Sequence, residues 1–152
     1  MPVEDQLKKL GLALPAAPAP VGAYVPYVVA QGLLFISGQL PLREGKLLHR
    51  GKVGAEVAFP EAQDCARVCF LNALAQAKAA LGSLDRVKRV VRMTGFVASA
   101  PDFTDQASVM NGASECAVGV FGDAGKHARL AIGVAELPLA APIELEVIIE
   151  VM

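Results

Sequence analysis

His127-Ala-Arg-Leu-Ala-Ile-Gly-Val-Ala-Glu-Leu-Pro138 and, after a connection of four residues, Ile143-Glu-Leu-Glu-Val-Ile-Ile-Glu-Val151 form the stretch that decides the fold class of this chain. The second run alternates apolar and acidic residues over most of its length, the period of a β-strand with one buried face. The first is an apolar run that carries Arg129, and Leu137-Pro138 marks a turn between the two. Two strands connected in this way can place Arg129 and Glu144, fifteen positions apart, in one small volume. A guanidinium stays charged and grips a carboxylate through two parallel N–H donors, so it suits a small acidic ligand. A neighbouring Glu can then take or give a proton, or orient a water.

Upstream of this pair the periodicity changes twice. Val87–Ala98 reads as another long strand, with Lys88, Arg89 and Arg92 as its polar interruptions. Phe103–Val120 reads as a helix entered through Pro101-Asp102 and left through Gly122, although Gly112 and Gly119 each weaken it by about 1 kcal/mol relative to Ala. A clearer helix begins at Phe59. Pro60 suits the first helical position, Glu61 and Asp64 suit the positive end, and Gly82 stops the run. Ala62, Cys65, Ala66, Cys69, Ala73, Leu74, Ala77 and Leu81 supply its apolar stripe. Tyr24–Ala30 and Leu33–Gly38 flank Gln31-Gly32, a hairpin signal, and a further short strand is expected near Lys46–Leu48. At the start, Val3, Leu7 and Leu10 share a helical face that ends at Gly11, and Leu14–Pro20 reads as a stiff, extended Pro-rich arm. The expected order, ββ(β)αβαββ, is an α+β sandwich with helices on one face of a mixed, mostly antiparallel sheet. Residues 1–20 are then a short helix and arm, and residues 21–152 a single domain.

Composition narrows the function classes. The chain is 54% hydrophobic and 19% charged, more apolar than one core readily hides, so a subunit interface is expected. A net charge of −1 gives no electrostatic footprint for nucleic acid. No apolar run approaches the ~20 residues needed to cross a bilayer, and Met1-Pro-Val-Glu-Asp lacks the features of a secretory signal. A cytoplasmic protein without membrane or nucleic-acid partners is expected. Cys65, Cys69 and Cys116 lack metal or redox spacing and read as small core fillers. Two histidines and scattered carboxylates show no ligand pattern, and G-x-x-x-x-G-K and G-x-G-x-x-G are absent, so neither a metal nor an organic cofactor is implied.

Four segments, in order, resemble the reactive-intermediate deaminase (Rid, or YjgF-like) family over roughly residues 20–152. Val21-Gly-Ala-Tyr24 is similar to the family's Gly-Pro-Tyr segment, and Phe35-Ile-Ser-Gly-Gln-Leu-Pro41 to its Ser-Gly-Gln-Ile-Pro strand and turn. Val109-Met-Asn111 falls where the family carries an Asn on its second helix. The C-terminal segment supplies the Arg, the Leu-Pro turn and the Ile-Glu-Leu-Glu strand. The resemblance implies a chorismate-mutase-like (YjgF-like) fold, a homotrimer, and active sites between subunits. It also implies that Arg129 holds a substrate carboxylate and that Glu144 acts at the reacting centre, with Tyr24, Ser37, Gly38 and Asn111 lining the pocket. His127, two positions from Arg129 and expected on the same strand face, joins them as a candidate. Two departures mark a divergent subgroup. Ala131 stands where deaminase-active members carry Cys, and Gly133 where a Glu is usual.

The activity so implied is hydrolysis of a C–N bond: 2-imino acids of the 2-aminoacrylate type go to 2-keto acids and ammonia. The chemistry is undemanding, since the imine is intrinsically reactive and positioning can supply much of the rate. Ala131 and Gly133 leave open a non-catalytic module that binds a small carboxylate such as a keto acid. An endoribonuclease or translation inhibitor is also attached to the family, but two Tyr and six Phe on a near-neutral chain offer no basic, aromatic surface for RNA.

Overall fold

The alternating run Ile143–Val151 becomes the middle of the sheet. In the computed structural model, which describes residues 1–152, this strand (β7) lies between β2 (Leu33–Gln39) and β5 (Val87–Ala98) and is antiparallel to both. β1 (Tyr27–Ala30) continues the sheet beyond β2, and β6 (Ala128–Val134) lies parallel to β5 at the opposite edge, so the order is β1-β2-β7-β5-β6. α2 (Phe59–Leu81) and α3 (Gln106–Phe121) pack on one face, the expected α+β sandwich. Ile143, Leu145, Val147 and Ile149 turn towards these helices and are fully buried. Because α3 connects β5 to β6, that pair is free to be parallel; a tight turn would have forced it antiparallel.

Local chemistry sets the boundaries. The Glu61 carboxylate accepts the Ala58 N–H at 2.9 Å at the entry of α2, and Gly82 (φ 79°) closes the helix in the left-handed region. Gln31 and Gly32 (φ 54° and 74°) make the β1–β2 turn, both central residues left-handed as a two-residue hairpin requires. β1 begins at Tyr27, not Tyr24, because Pro26 has no N–H for a ladder; its carbonyl instead accepts the Ser37 N–H. α3 begins at Gln106, not Phe103, because Asp102 (φ 70°) turns the chain first. The strand expected near Lys46–Leu48 forms as β4 (Lys46–Leu47), hairpinned on β3 (Leu42–Arg43).

The two large helices touch at a glycine. A Cβ on Gly112 would overlap the carbonyl of Gln63 on α2, so no larger residue fits this crossing without moving a helix. α1 (Val3–Lys9) buries Leu7, and Gln6 Nε2 donates to the Gly119 carbonyl of α3 at 2.9 Å. The following arm is held at Pro18, whose carbonyl accepts the amide of buried Gln76 at 2.7 Å. Asn72, also on α2 and fully buried, donates to the carbonyls of Leu40 and Leu42 at 3.0 and 2.9 Å and so pins the end of β2. All three cysteines are free and buried, and burial pushes each thiol above its ordinary pKa, as inert core fillers should behave.

The other sheet face has no cover. Val28, Phe35, Leu130 and Ile132 are exposed on it. Val28 pairs with Phe35, and Phe35 with Ile148, forming an apolar band across three strands. No helix is long and apolar enough to cross a membrane.

Candidate active site

Arg129 and Glu144 do not meet within one chain. β5 separates their strands by about 9–10 Å, their partners on it, Met93 and Phe96, lie three positions apart, and the two side chains point to opposite faces. Arg129 lies opposite buried Met93 on the helix side, whereas Glu144 lies opposite Phe96, between the inward-facing Ile143 and Leu145. The structure therefore divides the site residues expected from the sequence into two clusters.

The first cluster is built on β6 and α3. Arg129 Nη1 donates to Asn111 Oδ1 at 2.8 Å and to Ser114 Oγ at 3.1 Å, and Nη2 donates to the Ala107 carbonyl at 3.1 Å. Positions 107, 111 and 114 recur at helical spacing, so one stripe of α3 supplies all three acceptors. Of five guanidinium N–H groups, three are thereby used and two remain for a ligand. His127 completes the cluster. Its Nδ1 lies 2.6 Å from the Gly125 carbonyl and its Nε2 lies 2.9 Å from Ser114 Oγ. A carbonyl only accepts, so Nδ1 carries the hydrogen and the neutral ring's Nε2 accepts from the serine hydroxyl. Ala131 follows Arg129 on the same face, partly buried against the core. At Gly133 a Cβ would come within 2.8 Å of Gln106 Nε2 and 3.0 Å of Ser99 Oγ, so these groups fill the room that a side chain there would need.

The second cluster lies where β2 meets β7. The pairing slips between Ile36 and Gln39, putting one extra residue at Ser37-Gly38, a bulge beside a candidate site. Ser37 Oγ donates to the Val25 carbonyl at 2.7 Å and ties the bulge to the segment carrying Tyr24. Glu144 rests on Gly38: a Cβ there would overlap its carboxylate. Burial, and secondarily the charge of Glu146, raises the Glu144 pKa above the usual carboxylate value. Exposed Tyr24 stands at the edge of this cluster, its hydroxyl accepting the Val21 N–H at 3.4 Å. Tyr24, Ser37 and Gly38 share a cleft with Pro18 of the arm and Gln76 of α2.

Ser114 is the participant that sequence reading missed, although its place three residues beyond Asn111 put it on the same helical face. No group of three His, Cys, Asp or Glu side chains is positioned to hold a metal ion.

Comparison with known proteins accounts for this architecture. The family sequence model described as "YjgF/chorismate_mutase-like, putative endoribonuclease" matches residues 4–150. "Protein TCP17" of Trypanosoma cruzi is 47% identical over 149 residues, covering 97% of this chain and 93% of that protein. A Shewanella oneidensis structure, called "a putative endoribonuclease", superposes with a TM-score of 0.96 at 33% identity, covering 99% of this chain and all of that one. The E. coli protein TdcF, solved with bound serine, superposes with a TM-score of 0.63 at 26% identity over 90% of this chain and 94% of its own. With nearly every residue accounted for by that family model and its solved relatives, the chain belongs to the YjgF-like, or Rid, family.

Proposed function

We propose that this protein is an enamine/imine deaminase that hydrolyses 2-imino acids to 2-keto acids and ammonia, with each site assembled from two subunits of a homotrimer. The observation that carries the reading is the state of Arg129: three hydrogen bonds to α3 fix the guanidinium and leave two N–H groups for one carboxylate. A relative that holds serine, a small molecule with a carboxylate and an adjacent C–N bond, supports the same ligand class.

The chemistry follows from the two clusters. Arg129 and Asn111 orient the substrate carboxylate and present the imine carbon to the other half-site. There Glu144 accepts a proton as water adds. Its raised pKa brings the carboxyl closer to neutral pH than an ordinary Glu, where it can serve as both base and acid. The bare sheet face, with Phe35, Leu130 and Ile132, supplies the apolar surface that a trimer would bury. In such a ring the Arg129 half-site of one subunit faces the Glu144 half-site of the next. This arrangement supplies the proximity that a single chain lacks.

The test is release of 2-keto acid from an imine generated freshly by a pyridoxal-phosphate dehydratase, measured against the buffer rate. Arg129→Lys keeps the charge but loses the fork, and should lower kcat/KM by about 30–150-fold, the equivalent of ~2–3 kcal/mol. A wild-type protein that binds a keto acid at Arg129 but does not speed release would make it a binding module instead.

A further inference from the structure

We propose that Ser114 and His127 form a proton relay that protonates C3 of an enamine substrate held on Arg129, an acid function separate from that of Glu144. The proposal rests on the deaminase reading and adds a step to it: conversion of the enamine into the imine on the protein, before water adds.

The geometry forms a directed series. His127 is aimed from behind by the Gly125 carbonyl at 2.6 Å. Its other nitrogen meets Ser114 Oγ at 2.9 Å, and that oxygen lies 3.1 Å from the guanidinium that binds the carboxylate. A base oriented by a third group and hydrogen-bonded to a hydroxyl at the substrate's edge is the general form of an activated hydroxyl. Here the hydroxyl is mid-helix, without the backbone N–H donors that would stabilise an acyl intermediate. Proton transfer suits it better than nucleophilic attack.

The direction of transfer follows from counting hydrogens. While the ring is neutral, the serine hydrogen is committed to Nε2. Once the ring takes a proton from solvent, both nitrogens donate: Nδ1 to Gly125 and Nε2 to Ser114 Oγ. The serine hydrogen is then free to turn towards the substrate. The C2=C3 electron pair takes this proton and forms the C3–H bond, and the nitrogen lone pair makes the C2=N iminium. Ser114 Oγ recovers a proton from Nε2, leaving His127 neutral. Water next adds to C2, giving a proton to Glu144; Glu144 returns that proton to the amino nitrogen, and ammonia leaves as C2=O forms and the hydroxyl proton passes to solvent. No oxidant, metal or other co-reactant is needed.

A hydroxyl fixed on one side of the substrate delivers its proton to one face of C3, whereas water delivers to both. The experiment runs a threonine dehydratase in D2O, so that the four-carbon enamine gains one deuterium at C3. A 2-hydroxy-acid dehydrogenase traps the keto acid at once, and the handedness of the labelled carbon is read by NMR. The wild-type protein should speed keto-acid release and give one handedness. Ser114→Ala and His127→Gln should still release keto acid faster than buffer, because Arg129 and Glu144 remain, but should give both hands equally. Ser114→Thr keeps a hydroxyl and should restore the single hand, which a purely structural role would not require. Accelerated release with racemic label from the wild type, or a single hand from both relay variants, overturns the relay and leaves the deaminase reading standing. No acceleration by the wild type overturns both.

Discussion

At the scale of the residue, Gly38 and Glu144 act as one unit. Gly38 does not adopt a left-handed backbone, so alanine would suit its torsions; the obstacle is the Glu144 carboxylate lying where the Cβ would go. Gly38→Ala should therefore leave folding nearly unchanged while displacing Glu144. Keto-acid release should fall about tenfold or more, in line with loss of a positioned acid–base group, with unchanged affinity for a keto acid. The raised pKa of Glu144 has a signed consequence for stability. The folded state binds the Glu144 proton more tightly than the unfolded chain, so this stabilisation is complete below the ordinary carboxylate pKa and is lost as pH rises through the raised value. Glu144→Gln should match the wild-type Tm near about pH 4 and exceed it at neutral pH. Equal Tm values at both would show that burial does not strain the carboxylate. Arg129, Asn111 and Glu144 were legible as single residues through motif order. Ser114 was not, because a small polar residue inside a helix has no motif of its own.

At the scale of the element, Val87–Ala98 matches its sequence expectation at both ends and Phe59–Leu81 ends one residue before the expected glycine stop, since a long uniform period leaves little choice. β6 is where the sequence leaves the buried face undecided. Its bulky residues Leu130 and Ile132 face away from the helices, and small Ala131 and Gly133 share the helix side with Arg129. Hydrophobicity does not single out this face, because the surface that would cover Leu130 and Ile132 is not part of the chain's own core. Nor does an alternating pattern reveal which strand will separate two others, so the intervening β5 could not be foreseen. Among the helices, α2 carries a buried amide that acts at a distance. Asn72→Ala would take the amide donor from the Leu40 and Leu42 carbonyls, of which only Leu40 keeps another, the Leu42 N–H, at a cost of about 1–2 kcal/mol, or ~2–8 °C in Tm for a chain this size. A much smaller fall in thermal unfolding would mean that water replaces the amide.

At the scale of the whole molecule, two half-sites on opposite faces make the proposed oligomer testable by complementation. Arg129→Ala and Glu144→Gln damage different halves, so hybrids formed after dissociation and reassembly should recover activity at about a quarter of the sites in a cyclic, head-to-tail ring. Arg129→Ala with Asn111→Ala damages the same half and should recover nothing. Rescue by the second pair, or failure of the first despite proven subunit exchange, would return the site to a single chain. The position of β7 has a consequence for the order of events in a cell. It is synthesised after every other strand, yet it joins β2 to β5 and holds the sheet together. Until it leaves the ribosome, β1–β2 and β5–β6 have no common partner, and the apolar faces of α2 and α3 have only half a floor. Closure of the sheet must therefore wait for β7 to emerge, and until then the unpaired strand edges and half-covered helix faces are open to wrong contacts.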